Sequence, residues 1–417
     1  MEPFIDTGVT AWMLVSASLV LLMTPGLAMF YGGMTRSKSV LNMMMMCFGA
    51  LALIAVIYPL WGWSMSYGSS IGGIVGNPLD QFGLGGSFET LAVLDEATGA
   101  AMPTIVDVGF QTTFAIITVA LIAGAIADRV KFSTWLVFAG LWVTLAYFPM
   151  AHMVWSGGLL SGDGPFAAIA EPVDFAGGTV VHINAGVAGL VLALVVGRRK
   201  GFGAEPMRPH NLPLVMLGAA LLWFGWFGFN AGSAYGADET AGLAWVNTTT
   251  AAAAAVLGWL ATERVKYGKA TSLGAASGVV AGLVAITPAA GALTPLTSIV
   301  LGAVAGVACA LAVGLKHRLG YDDSLDVVGV HLVGGLVGTT GIGLLATDGG
   351  LFFGGGLNLL LVQIIIAAVA LALSGVVTLV LGLVLKATMG WRVTDEAEIG
   401  GIDLAEHAEG AYEGIQS

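Results

Sequence analysis

Apolar residues in this chain fall in unbroken runs separated by short polar breaks, near residues 10–31, 42–67, 105–127, 132–155, 179–197, 212–233, 243–263, 272–288, 296–315, 327–347 and 359–386. A hydrocarbon layer about 30 Å thick takes roughly 20 such residues per helical crossing. Backbone in lipid must satisfy its own hydrogen bonds, so each run predicts a helix. No ten-residue alternating strands occur, which argues against an outer-membrane barrel. The pattern therefore predicts an all-α integral membrane protein with eleven transmembrane helices. Composition agrees: 57% of residues are hydrophobic and 10% charged, against about 25% charged in soluble domains.

Charge sets the expected orientation. Arg36 and Lys38, Arg129 and Lys131, Arg198 to Arg208, Arg264 to Lys269, Lys316 and Arg318, and Lys386 and Arg392 fall in alternate connections and include all 15 Lys and Arg of the chain. The remaining connections carry acids such as Asp80, Glu89, Asp95, Asp163, Glu171, Asp238 and Asp348. Basic connections stay in the cytoplasm, so the expectation is a multi-pass protein of the cell membrane with its N-terminus outside and its C-terminus cytoplasmic. The start, Met-Glu-Pro-Phe-Ile-Asp, lacks the basic n-region of a cleaved signal peptide. Connections 68–104 and 156–178, rich in Gly and acid, are expected to build an external vestibule.

The formal charge of −11 is mostly a property of the tail, where Asp395, Glu396, Glu398, Asp403, Glu406, Glu409 and Glu413 lie in the last 23 residues. Residues 1–390 are read as the transmembrane domain and 391–417 as a cytoplasmic tail. The 62 glycines suit close helix packing in membranes. Cys47 and Cys309 both sit in apolar runs, so neither a disulfide nor a cysteine metal site is expected.

Residues 174–190 and 323–339 align at one constant offset, pairing Asp174 with Asp323, Val181 with Val330, His182 with His331, Gly186 with Gly335 and Gly189 with Gly338. The fifth helix runs inward and the tenth outward, so the copies are antiparallel, as in transporters built from inverted repeats. The halves are then helices 1–5 (about 10–197) and 6–10 (212–347), with helix 359–386 added. Each His lies eight residues beyond its Asp, about 12 Å into the membrane at 1.5 Å per residue. Both should meet near the midplane as neutral imidazoles bonded to each other.

The third helix carries Phe110 and Phe114 on one face. The sixth ends in Trp-Phe-Gly-Phe-Asn-Ala-Gly-Ser, with Phe229 and Ser233 on one face, and the fourth ends near Trp155. Singly these are interfacial or packing aromatics. Together Phe110, Trp155 and Ser233 could hold a small cation by ring faces and a hydroxyl acceptor, with Phe114 and Phe229 as an apolar constriction beneath.

At these residues the chain resembles the Amt/Mep/Rh ammonium transporters, from Pro-Gly-Leu-Ala-Met-Phe-Tyr-Gly-Gly (25–33) to the tail. The signatures are Asp-Phe-Ala-Gly-Gly-Thr-Val-Val-His-Ile-Asn-Ala (174–185) and Gly-Trp-Phe-Gly-Phe-Asn-Ala-Gly-Ser (225–233). The resemblance implies a homotrimer with one pore per subunit, in the lipid bilayer. It makes Phe110, Trp155 and Ser233 the external ammonium site, Phe114 and Phe229 the gate, and His182 and His331 the twin-histidine pore lining. Two histidines, the Trp155 rim and eleven helices resemble the bacterial Amt type. Asp174 is also marked by the resemblance, either attracting the cation or capping the fifth helix. Segment 390–403 resembles the family's regulatory tail, which implies a PII-type signal protein as partner.

The expected function is uptake of ammonium, with ammonium sensing or passive ammonia conduction as alternatives. A potassium filter of the Thr-Val-Gly-Tyr-Gly kind is absent from the sequence. No enzyme, cofactor, metal or nucleic-acid role is expected. A tag at the C-terminus should be shielded in intact cells and one within residues 80–100 accessible. Labelling of both from outside would refute the helix count.

Overall fold

A computed structural model describes residues 2–95 and 97–412; Glu413 and the rest of the tail lie outside the described residues. Among the described residues eleven helices are long and apolar enough to span a membrane. They are α1 (Thr7–Met34), α2 (Val40–Tyr67), α3 (Thr104–Ile126), α4 (Phe132–Trp155), α5 (Gly178–Val196), α6 (Leu212–Ala234), α7 (Glu239–Tyr267), α8 (Ser272–Ala289), α9 (Pro295–Leu319), α10 (Val328–Leu345) and α11 (Asn358–Thr388). These agree with the eleven apolar runs to within a few residues, because run length and helix length answer to the same layer thickness. Two short helices follow, α12 (Asp395–Gly400) and α13 (Ile402–His407).

Small strands decorate the face where α1 begins. β1 (Phe4–Ile5) pairs in parallel with β5 (Ala100–Pro103), which pairs antiparallel with β4 (Leu91–Asp95). A ribbon of β2 (Ser70–Ile71) and β3 (Val75–Gly76) precedes them. The long connection after α2 is thus tied to the N-terminus. This is the N-terminal face; the opposite one, carrying the Lys and Arg, is the C-terminal face.

Glycine makes the helix packing possible. α1 lies along α6, and α7 along α9. A Cβ on Gly218 would meet the Phe30 backbone nitrogen at 2.3 Å, and one on Gly228 the Ser16 carbonyl at 2.6 Å. In the second pair, Cβ atoms on Gly302 and Gly306 would meet the carbonyls of Ala251 and Ala255 at 2.2 Å. Lipid is as apolar as leucine, so close backbone approach, rather than water exclusion, holds such pairs together.

On the C-terminal face, Arg199 bridges Asp322 at 2.8 Å and Asp128 at 3.1 Å. Arg129, fully buried, donates to the carbonyls of Gly197, Ala125 and Asp322. These bonds lock the α3–α4, α5–α6 and α9–α10 connections together. The tail lies across the same face. Asp403 accepts from the backbone of Leu41 and Asn42 at the start of α2, and Glu406 from Phe132 at the start of α4. Carboxylates there complement the positive ends of both helix dipoles.

Gly218→Ala should lower stability by about 1–3 kcal/mol through overpacking, whereas Gly242→Ala, with nothing within 4 Å of the added carbon, should not. Thermal unfolding in detergent compares them, and equal melting temperatures would remove the close approach as a source of stability.

Candidate functional site

The fifth and tenth helices begin alike. Asp174 Oδ1 accepts from the backbone nitrogens of Gly177 and Gly178 at 2.8 and 2.6 Å. Oδ2 accepts from those of Thr179 at 2.8 Å and Val180 at 3.3 Å, and from the Thr179 hydroxyl. Gly177 adopts φ 116°, a left-handed conformation that aims these N–H groups at one carboxylate. Asp323 accepts from Val327 and Val328 at 3.1 and 2.8 Å in the same manner. Burial pushes both carboxyls up from their ordinary value, Asp323 to about 6 against the opposing Lys316 charge. Both helices then start with a π-helical turn, Gly178–Ile183 and Val328–Leu332, and each turn contains the histidine.

Those turns bring the histidines together. His182 and His331 stack at 5.4 Å between ring centroids, with 3.4 Å between their Nδ1 atoms. One Nδ1 must donate and the other accept, which leaves one Nε2 as acceptor and the other as donor when both rings are neutral. The opposite face of His182 stacks on Trp226, whose indole donates to the Thr287 hydroxyl at 2.8 Å. His182 Nε2 is buried and has no hydrogen-bond partner among the described residues. Both rings line a narrow cavity of about 10 Å³ walled by Met23, Leu27, Phe30, Ile117, Val280 and other apolar side chains, the size of a single water site.

Phe229 walls that cavity and stacks on Phe114 at 4.1 Å and 16° between planes. Phe114 in turn lines a second cavity of about 450 Å³ on the N-terminal face, together with Trp155, Ser233, Phe175, Asp107, Gln111, Tyr235 and residues 92–94 of β4. The stacked pair therefore stands between the two cavities. Trp155 is oriented by an indole bond to the Asp174 carbonyl at 2.9 Å, and Ser233 Oγ donates to the Phe229 carbonyl at 2.8 Å, which leaves its lone pairs for an incoming donor.

Seven of the eight residues singled out from the sequence thus cluster, with Asp174 as the clasp beneath Trp155. Phe110 stands one layer back. No part of it is exposed, and it packs edge-on against Phe114 and Tyr235 at 4.8 and 5.7 Å. Sequence reasoning passed over Tyr235, Asp107, Gln111 and Trp226. Asp107 and Gln111 were findable, since positions 107, 110, 111 and 114 share one helix face. Tyr235 gave less warning: it is a non-glycine residue in the left-handed region at φ 56°, a conformation that costs about 1–3 kcal/mol and gathers at functional sites.

Capped, antiparallel helices that meet at a buried pair of imidazoles, in an apolar cleft between inverted halves, define a polytopic α-helical membrane protein. Residues 11–412 match the family model described as Ammonium Transporter Family, and the chain belongs to that family. It is 56% identical to an ammonium transporter of Mycobacterium tuberculosis over 98% of this chain and 91% of that protein. An ammonium transporter of Aquifex aeolicus is 48% identical over 99% of this chain and 95% of that protein. Among solved structures, Candida albicans Mep2 superposes with a TM-score of 0.86 at 30% identity, covering 98% of this chain and 91% of that one. A Sensor Amt Protein gives 0.86 at 29% identity, covering 96% and 98%.

Asp174→Ala would leave up to four backbone donors unanswered and release the carbonyl that holds Trp155. The expected loss is about 2–4 kcal/mol, with a shift of tryptophan emission. Wild-type melting and emission in the variant would dismiss the clasp.

Proposed function

We propose that the chain carries ammonium from outside the cell into the cytoplasm, with the N-terminal face outward. The cation is recruited in the larger cavity against the faces of Trp155 and Phe114, with Phe110 backing them and Ser233 Oγ accepting one of its N–H groups. It sheds a proton to solvent water in that cavity before the Phe114–Phe229 gate. Neutral ammonia then enters the apolar cavity and exchanges hydrogen bonds with the free ring nitrogens of His182 and His331. A proton that follows can pass between the two rings, because each imidazole both donates and accepts. Potassium has no proton to lose, and a bare ion meets several kcal/mol of desolvation in such a passage.

The observation that carries this reading is the unpartnered His182 Nε2 at a cavity whose remaining walls are apolar. A buried polar atom without a protein partner calls for one that arrives from elsewhere, such as a water or a solute. Asp174 serves as a helix clasp rather than a cation contact, since its oxygens are already engaged. Family membership supports a homotrimer in the bilayer and a PII-type protein docking at the C-terminal face, where the tail lies. Likeness to the Sensor Amt Protein favours ammonium sensing as a second reading; a sensor binds the cation and passes little current.

Reconstituted protein should give an ammonium-driven current that methylammonium competes for and equimolar potassium does not. His182→Ala and His331→Ala should each cut it by about 100-fold, the low end of a positioned proton-transfer group. Unaltered current in both variants would take the imidazole pair out of the mechanism, and binding in the wild type with neither current nor ammonia entry into the vesicles would favour the sensor.

A further inference from the structure

The larger cavity on the N-terminal face holds a feature that recruitment by aromatic rings and a hydroxyl leaves unused. Among the described side chains that line it, Asp107 alone carries a charge. Asp107 Oδ1 accepts from the Tyr235 hydroxyl at 2.8 Å, and the Tyr235 oxygen accepts from Gln111 Nε2 at 2.7 Å. Every donor in this chain points toward the carboxylate, so it ends as the acceptor of a fixed polar row. Its other oxygen takes no hydrogen bond among the described residues.

The carboxylate also has no cationic partner. All fifteen Lys and Arg belong to connections on the opposite face or to helix ends there, and no ion pair among the described residues includes Asp107. A half-buried anion beside Phe114, Phe175, Val93 and Leu94 is costly to leave unpaired. Low-dielectric walls focus the field of a single charge and raise the local concentration of the opposite ion. Tyr235 is held in place for this task by its left-handed backbone and by the edge-on ring of Phe110.

Building on the transport reading above, we propose that Asp107, oriented by Tyr235, is the charge that draws the cation into the outer cavity and sets how much ammonium is needed outside. It acts on capture rather than on passage through the gate. Phe110 then contributes by holding Tyr235, which explains why a buried ring accompanies the site.

The test is the ammonium dependence of current in proteoliposomes for Asp107→Asn, Asp107→Glu and Tyr235→Phe, at low and high ionic strength. Asp107→Asn keeps an acceptor for Tyr235 and removes only the charge. Its half-saturating ammonium concentration should rise by about tenfold at low ionic strength, while the maximal current changes far less. The gap should narrow as N-methylglucamine chloride screens the cavity mouth, and Asp107→Glu should recover most of the wild-type value. Tyr235→Phe should give an intermediate rise. A wild-type half-saturation in Asp107→Asn at low ionic strength would overturn the proposal. So would a fall in maximal current alone with no shift in half-saturation. If the wild type carries no current and admits no ammonia into the vesicles, the transport reading fails by itself; calorimetric titration of the purified proteins with ammonium then decides, a roughly tenfold weaker dissociation constant in Asp107→Asn upholding recruitment and an equal one ending it.

Discussion

Four successive backbone N–H groups at the start of α5 converge on one carboxylate, that of Asp174, and most of the site hangs from that convergence. A helix that begins inside a membrane protein cannot hand its first donors to water. With the clasp in place, α5 can start deep enough for His182 to reach the centre of the molecule. Asp323 does the same for α10 from the other face, and the two π-helical turns that follow present His182 and His331 to each other. The clasp serves the rim as well, because the Asp174 carbonyl receives the Trp155 indole. One residue thereby couples the entrance to the interior.

Between the two cavities stands the stacked pair of Phe114 and Phe229. Their rings lie 4.1 Å apart between centroids, and the cavity beyond them is scaled to one small molecule. Among the described residues, the imidazoles of His182 and His331 and the indole of Trp226 are the polar side chains in its otherwise apolar lining. In the transport reading proposed above, such a passage favours a solute that can become neutral, since neutral ammonia avoids the desolvation that a bare cation meets.

Charge is distributed so that each face has one task. The N-terminal face presents a lone carboxylate to its cavity, whereas the C-terminal face binds its Arg and Asp residues into a closed lattice around Arg129 and Arg199. Part of the acidic tail joins that lattice, with Glu398 and Asp403 buried. Glu398 accepts from the Lys200 backbone at 2.6 Å and pairs with Arg392, while Asp403 and Glu406 answer the open N-termini of α2 and α4. Within a segment that composition marks as a solvated charge run, Asp403 and Glu406 therefore act as helix caps, placed where two dipoles need them.

Much of this was legible in the sequence because it depends on local spacing. Apolar run lengths predicted the eleven spans, the alternation of basic and acidic connections the antiparallel order, and the repeated Asp-to-His interval the meeting of His182 with His331. Each is a property of neighbours along the chain measured against a fixed layer thickness. Which way a side chain turns once helices pack is of another kind. That Phe110 withdraws behind Tyr235, that Asp107 stands unpaired in the cavity, that Asp174 spends both oxygens on backbone donors and that Asp403 caps a helix some 360 residues earlier depended on partners brought close only by the tertiary fold. A helical face presents an aromatic to several neighbours at once, and the choice among them is made by the glycine-set distances between helices, which the linear pattern does not encode.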